Sequence, residues 1–442
     1  MLRNQMRSNP LRWLLIAGAI HITLTLAIFL AGHFQVLPSV FDQYGTGLTF
    51  AIDGTSYREL TSQLATALQT DGFSGWLAIK APLHCRIYSL LFATIGRLLG
   101  HNILAAEPLN LIYYLGILSC VYLLGREIFN ERAATLAALI VAVWPSFLFH
   151  STQFMRDTFA IFCLLALLFV LTLVLRREFS WRAAAGAGVA GVALTAMFWV
   201  LRGNMWNVVV VAVAITIVFL AWRMWRVDKV LAPNLIVILL MLVAMLTAPS
   251  RLESTGLPGV RPPTTPLAIP STTQHPGVFR EIRSNEGIFS LILKQVGQRR
   301  AAFGTYRARE SNIDSHVQLK TSDDVVRFLP RAAVIGFFAP FPRMWFQTGS
   351  YGRTGRLLSG AETFVMYFLY AATGVCVWRN RRRLEMWLVF LVATIGTIAL
   401  GLVVANAGAL YRLRYVFWIL FIVLAAETVV HFTVLRTSET KS

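Results

Sequence analysis

Few side chains of this sequence are equipped for chemistry, and they recur at the ends of long apolar runs. An aspartate and a tyrosine stand four residues apart in "AIDGTSYREL", as Asp53 and Tyr57, and a second acid, Asp157, follows Arg156 in "FMRDTF". Cations at comparable positions are Lys80, Arg202, Arg412 and Arg414. A positioned carboxylate accepts a proton from a reacting hydroxyl, or it caps a helix. An arginine or lysine stabilises developing negative charge, or it snorkels to an interface. Both readings stay open for each residue: Asp53 precedes a helix beginning near Tyr57, and "RDTFAIF" suits Asp157 as an N-cap. Tyr57 and His150 read as pocket walls or, with more weight, as a packed aromatic and a satisfied interfacial histidine.

The elements that must position these groups are membrane spans. The chain of 442 residues is 56% hydrophobic and 14% charged, against about 25% charged residues in soluble domains. Apolar runs lie near 12–32, 106–125, 133–150, 158–175, 183–201, 206–222, 230–248, 361–378, 386–405 and 413–435. Lipid leaves backbone groups no partner outside the chain, so such runs are helices. The expected fold is an all-α polytopic membrane protein. The net charge of +19 sits in short clusters between runs, the pattern of orientation signals beside an anionic leaflet, and excludes nucleic acid as a partner. The cysteines Cys85, Cys120, Cys163 and Cys376 form no CxxC and read as small core residues.

Two stretches, 83–100 and 329–347, carry arginines or prolines within apolar sequence. With both lying along the surface, ten spans remain. Counted over the short connections alone, seventeen Lys and Arg then fall on one side, among them "RNRRR" (379–383), and four on the other. Counting either stretch as a span breaks this asymmetry, so 83–100 reads as an interfacial helix and 329–347 as interfacial or re-entrant. Both termini are expected in the cytoplasm, in a multi-pass bacterial inner (plasma) membrane protein with an uncleaved first helix. The domain division is 1–249, an N-terminal transmembrane module with a first outer loop at 33–105; 250–360, an outer periplasmic loop; and 361–442, the C-terminal transmembrane helices. Asp53, Asp157, Arg202, Arg412 and Arg414 then share the outer face.

In this order and sidedness the motifs resemble the GT-C superfamily of membrane glycosyltransferases, in its protein-mannosyltransferase and aminoarabinose-transferase branch. The features that match are the Asp-x-x-x-Tyr of the first outer loop, and "KAPLHCRIYSLLFATIGRLLG" opening an interfacial helix. They continue in "YLLGREIFNERAATLAALIVAVWPSFLFHSTQFMRD" and the late "YRLRY" (411–415). The resemblance covers about the first 180 residues well and the last hundred loosely. It departs where Gly54 replaces a second acid and Ala81 one of two prolines.

The resemblance implies a GT-C-like bundle and an inverting transfer of a sugar from a polyprenyl-phosphate donor to an acceptor hydroxyl on a glycan, lipid or protein. Asp53 would be the general base and Asp157 a second catalytic acid that orients the acceptor, assists the base or helps to hold a metal. Tyr57, Lys80, Arg156, Arg202, Arg412 and Arg414 would bind substrate. No cofactor is implied for certain, and a divalent metal, Mg or Mn, stays open. The sequence has no P-loop, GxSxG, HExxH or DxD motif, which agrees with a lipid-linked donor. The rivals are a non-catalytic polyprenyl-lipid-binding assembly protein, a polymerase, and a transporter or flippase of lipid-linked sugars. A transporter would carry ionisable residues at mid-membrane, whereas the charges here are expected at helix ends.

Overall fold

The computed structural model describes residues 10–42, 47–49, 52–254, 288–304, 311–346 and 352–439. The Pro-, Thr- and Ser-rich part of the expected outer loop, 255–287, lies outside the described residues. In chain order the helices are α1 (Pro10–His33), α2 (Ile52–Thr70), α3 (Gly72–Ala78), α4 (Leu83–Thr94), α5 (Gly96–Leu99), α6 (Ile103–Ile128), α7 (Glu131–Ala142), α8 (Pro145–Ser151), α9 (Arg156–Arg176), α10 (Trp181–Arg202), α11 (Trp206–Val227), α12 (Ala232–Ser254), α13 (Ile288–Gly304), α14 (Ser322–Phe338), α15 (Pro342–Trp345), α16 (Gly352–Arg379), α17 (Leu384–Val403), α18 (Ala407–Leu413) and α19 (Tyr415–Glu439). A short antiparallel hairpin, β1 (Phe41–Asp42) and β2 (Gly47–Leu48), separates α1 from α2.

Among the described residues α1, α6, α9, α10, α11, α16, α17 and α19 are long and apolar enough to cross a membrane. The pair α7 and α8, bent by 67° at Val143–Trp144, makes a ninth if counted as one span. Pro145 opens α8. A proline suits the first turn of a helix and disfavours helical backbone in the residue before it, so the chain bends there. The remaining apolar run is Ala232–Thr247 of α12, apolar but shorter. Each of the ten apolar runs is thus helical; eight of the described helices are long enough to span, nine with the bent pair, and α12 is shorter. Neither 83–100, which forms α4 and α5, nor 329–347, which covers the end of α14 and all of α15, passes as a span. All four cysteines are buried, as small core residues should be.

The chain divides into two compact units. The first comprises Met1–Val170, Ala190–Gly203 and Arg251–Val260. In it α6 packs against α1, α4 and α7, and α2 packs against α3 and α4. The tight turn into α7 is closed by Asn130, whose side chain accepts from the Ala133 amide at 3.0 Å. Gly125 permits the approach: a Cβ there would lie 2.8 Å from the Ala134 Cα.

The second unit comprises Leu171–Val189, Asn204–Ser250 and Arg261–Ser442. Here α17 packs against α11, α13, α14 and α19, and α16 packs against α15 and α19. The α14–α17 contact is a glycine seam, because a Cβ on Gly336 would run into the Thr397 carbonyl and one on Gly401 into the Ala332 carbonyl. Small residues let helix backbones meet where lipid supplies no hydrophobic drive.

One device recurs in both units. A helix ends with carbonyls that have no partner within it, and here arginines close them. Arg86 donates to the carbonyls of Trp76 (3.0 Å) and Ile79 (2.7 Å) at the end of α3. Arg223 donates to that of Leu175 (2.7 Å) near the end of α9, and Arg300 to that of Leu402 (3.0 Å) at the end of α17. Each cation also sits at the negative end of the helix dipole. Several arginines thus hold the fold as well as marking its sides.

Candidate active site

Asp53 lies in the first turn of α2, where a carboxylate favours the helix dipole, and Tyr57 follows one turn later. The Tyr57 ring meets His84 edge-on, with centroids 4.4 Å apart. His84 is the second residue of α4, fully inside the protein. Behind them Leu64, Trp76, Ala81 and Cys85 form a buried cluster against which Tyr57, Leu60, Leu68 and Ile79 pack. Ala81, where the resemblance expects a proline, is a core residue of this cluster.

Asp157 and Arg202 arrive from the ends of α9 and α10. Asp157 is in the first turn of α9, one residue inside the helix, so it does not act as the expected N-cap. It pairs with the Arg202 guanidinium. Its Oδ2 also lies 3.3 Å from His150 Nε2 at the end of α8. Asp157, Arg202 and His150 are each under a tenth exposed (5%, 6% and 8%), while Asp53, Tyr57 and Arg156 are part-exposed.

The non-helical break at 152–155 sets the start of α9, and three side chains hold it. Asn110 donates to the Thr152 carbonyl at 3.0 Å and accepts from the Tyr88 hydroxyl at 2.5 Å. Gln153 accepts from the Leu48 amide at 2.9 Å, which ties the first-loop hairpin to this break. Gly47 has φ +102° and stands where any Cβ would strike Gln153. Only glycine meets both demands.

The local field follows from these positions. Burial first, opposed by the Arg156 charge and supported by Asp53, raises Tyr57 above its ordinary value, so it stays a phenol. Burial, helped by Arg156 and Arg202, holds His84 well below the usual histidine range, so it stays neutral. Burial pushes the Cys85 thiol up to about 12, which removes it as a thiolate nucleophile. One carboxylate, Asp53, and two guanidiniums, Arg156 and Arg202, thus act on Tyr57, and the same two guanidiniums act on His84. A divalent ion does not fit this donor set. Asp157 is already compensated by a guanidinium, Arg156 adds a further positive charge, and no three metal-binding side chains cluster among the described residues.

The other expected site residues stand elsewhere. Lys80 is exposed on the turn between α3 and α4. Arg412 and Arg414 belong to the second unit, at the end of α18. Arg414 is fully buried and donates through Nη1 to the Gly336 carbonyl (2.7 Å) near the end of α14, while its guanidinium carbon lies 4.2 Å from the Trp418 ring centre. Tyr367, Tyr370, Tyr411 and Tyr415 surround it, and burial pulls it below the usual arginine range. Its Nε and Nη2 have no hydrogen-bond partner among the described residues. Sequence reading passed over His84, although it lies in the quoted "KAPLHC". The reason is that a single buried histidine gives no periodic signal. Reading the charges as confined to helix ends also proves wrong. His21 and Glu107, inside two spans, form a buried pair at 2.7 Å.

A polytopic bundle of this kind, with acids and arginines meeting at helix ends, defines a helical membrane protein with a polar site at its helix termini. Residues 113–304, somewhat under half of the chain, match the family model "Oligosaccharyl transferase STT3, N-terminal". The chain is similar to the GT-C superfamily of membrane glycosyltransferases, as the motifs imply. Among solved structures it is similar to the archaeal oligosaccharyltransferase AglB from Archaeoglobus fulgidus, in complex with an inhibitory peptide and a dolichol-phosphate. That match has 13% identity and a TM-score of 0.46 and covers 97% of this chain and 52% of the other. The chain thus spans about half the length of that relative. It is also similar to ArnT from Cupriavidus metallidurans bound to undecaprenyl phosphate, with 12% identity, a TM-score of 0.32 and coverage of 92% and 77%. Comparison with curated proteins finds no match.

Proposed function

We propose that this chain transfers a sugar from a polyprenyl-phosphate donor to an acceptor hydroxyl, with Asp53 as the general base. The observation that carries the choice of base is the contrast between the two acids. Asp157 is buried and neutralised by Arg202, so it is a poor proton acceptor, whereas Asp53 is part-exposed at a helix start. The acceptor oxygen attacks the anomeric carbon and gives its proton to Asp53. The bond from that carbon to the phosphate oxygen breaks with inversion, and the phosphate leaves with the electron pair. Arg156 stabilises the charge growing on it, with Lys80 as a second cation at the site's edge. Tyr57 and neutral His84 line the sugar position.

Undecaprenyl phosphate binding to the protein in nanodiscs tests this reading. Arg156→Gln is expected to weaken binding by roughly 10- to 150-fold, the worth of one charged hydrogen bond. Binding that survives unchanged would overturn the phosphate role. Lipid binding without transfer to any glycan, lipid or protein acceptor would support the assembly-protein rival.

The proposal includes a site on the periplasmic face of an inner membrane, with both termini inside, a sidedness supported by the charge asymmetry of the short connections. The four native cysteines are buried, so single labels report cleanly once those are replaced. Cysteines placed at Asp323 and Arg382, both exposed, should label from opposite sides of the membrane. The same sidedness for both would end this topology.

A further inference from the structure

His21 lies midway along α1 and is completely buried. Its Nδ1 is 2.7 Å from Glu107 Oε1 on α6, and its Nε2 is 3.0 Å from Ser151 Oγ on α8. The Thr25 hydroxyl donates to Glu107 Oε2 at 2.7 Å, and the Tyr114 ring stacks on the imidazole at 4.5 Å. Ser, His and Glu in this order look like a nucleophile with its relay. Proton accounting says otherwise. Ser151 donates its hydroxyl proton to the Leu148 carbonyl at 2.8 Å, and a carbonyl only accepts. The Ser151 hydroxyl is thus turned into its own helix rather than toward His21. With His21 and Ser151 wholly buried, no substrate reaches the hydroxyl, and the group is not a nucleophilic centre.

Its position assigns another role. Helix α8 has seven residues, is bent away from α7 by 67° and ends at the break before α9. So short a helix cannot fix its own orientation. His21 grips it at Ser151, and the next residue back, His150, reaches Asp157. Asn110, three residues beyond Glu107 on α6, holds Thr152 on the other side.

We infer that the Glu107–His21 pair is a positioning device that clamps α8 to α1 and α6, so that His150 and the Asp157–Arg202 pair keep their places beside Asp53. This rests on the glycosyl-transfer reading for its kinetic consequence but not for its structural one. A buried ionisable pair is costly to keep in an apolar segment, and such pairs are retained where they fix one arrangement.

The test uses the full-length protein in nanodiscs, labelled with 15N-histidine, with the His150 signal identified from His150→Gln. His21→Gln and Ser151→Ala are expected to move the His150 signal. Val121→Ala, a buried change on α6 away from the clamp, is expected to leave it in place. In a transfer assay His21→Gln should lower kcat by roughly 10- to 100-fold with KM for the lipid donor little changed, the signature of a misplaced group. Glu107→Gln keeps a hydrogen-bonding oxygen beside His21 and should retain most of both readouts. A His150 signal that stays fixed in both His21→Gln and Ser151→Ala would overturn the clamp. A signal that moves while the wild-type protein transfers no sugar would leave the clamp standing and remove the glycosyl-transfer reading instead.

Discussion

Asp53→Asn is expected to reduce glycosyl transfer by about 10² or more while the protein folds and binds undecaprenyl phosphate as before. The substitution keeps the side chain's size in the first turn of α2. It removes only the charge, and with it the acceptor for the hydroxyl proton. The helix-dipole part of the loss at a part-exposed site is about 0.3–1 kcal/mol, too little to unfold the chain. Rate and stability are therefore separable here. The comparison variant is Asp157→Asn. If that change abolishes transfer while Asp53→Asn leaves it near the wild-type rate, the base has been assigned to the wrong acid. If neither changes the rate, the enzyme reading fails.

The second large effect is on stability. Arg202→Ala should destabilise the protein by about 3–5 kcal/mol, because it strands a buried carboxylate without its counter-charge. Asp157 is 5% exposed, and the His150 ring nitrogen lies 3.3 Å from it. Adding Asp157→Asn should recover most of the loss, since the stranded charge disappears with it. Unfolding midpoints of the two single variants and the double variant, followed in one detergent, measure the coupling. Additive losses would mean that the two side chains do not act as a pair. The same cycle bears on the proposal that Asp53 rather than Asp157 is the base.

The glycine seam and the arginine caps show why tertiary structure matters to such predictions. Gly336 and Gly401 are ordinary members of apolar sequence until α14 and α17 meet backbone to backbone. Arg223 counts as one more orientation charge until its guanidinium is found on the Leu175 carbonyl at 2.7 Å.

By itself the sequence determined the class of protein and the line of its helices. A span is a local property, about twenty apolar residues that must satisfy their own backbone, so α1, α6, α9 and the others follow the apolar runs directly. It also located Asp157, Arg156 and Arg202 at the ends of such runs and Asp53 in the first outer loop, since polar groups gather where lipid stops. Only the tertiary structure decided which of them meet. Asp157 and Arg202 lie on different helices, and His21 and Glu107 are 86 residues apart. No periodicity records such pairings. They depend on how the helices rotate and cross, and those angles are set by packing that the linear pattern does not contain.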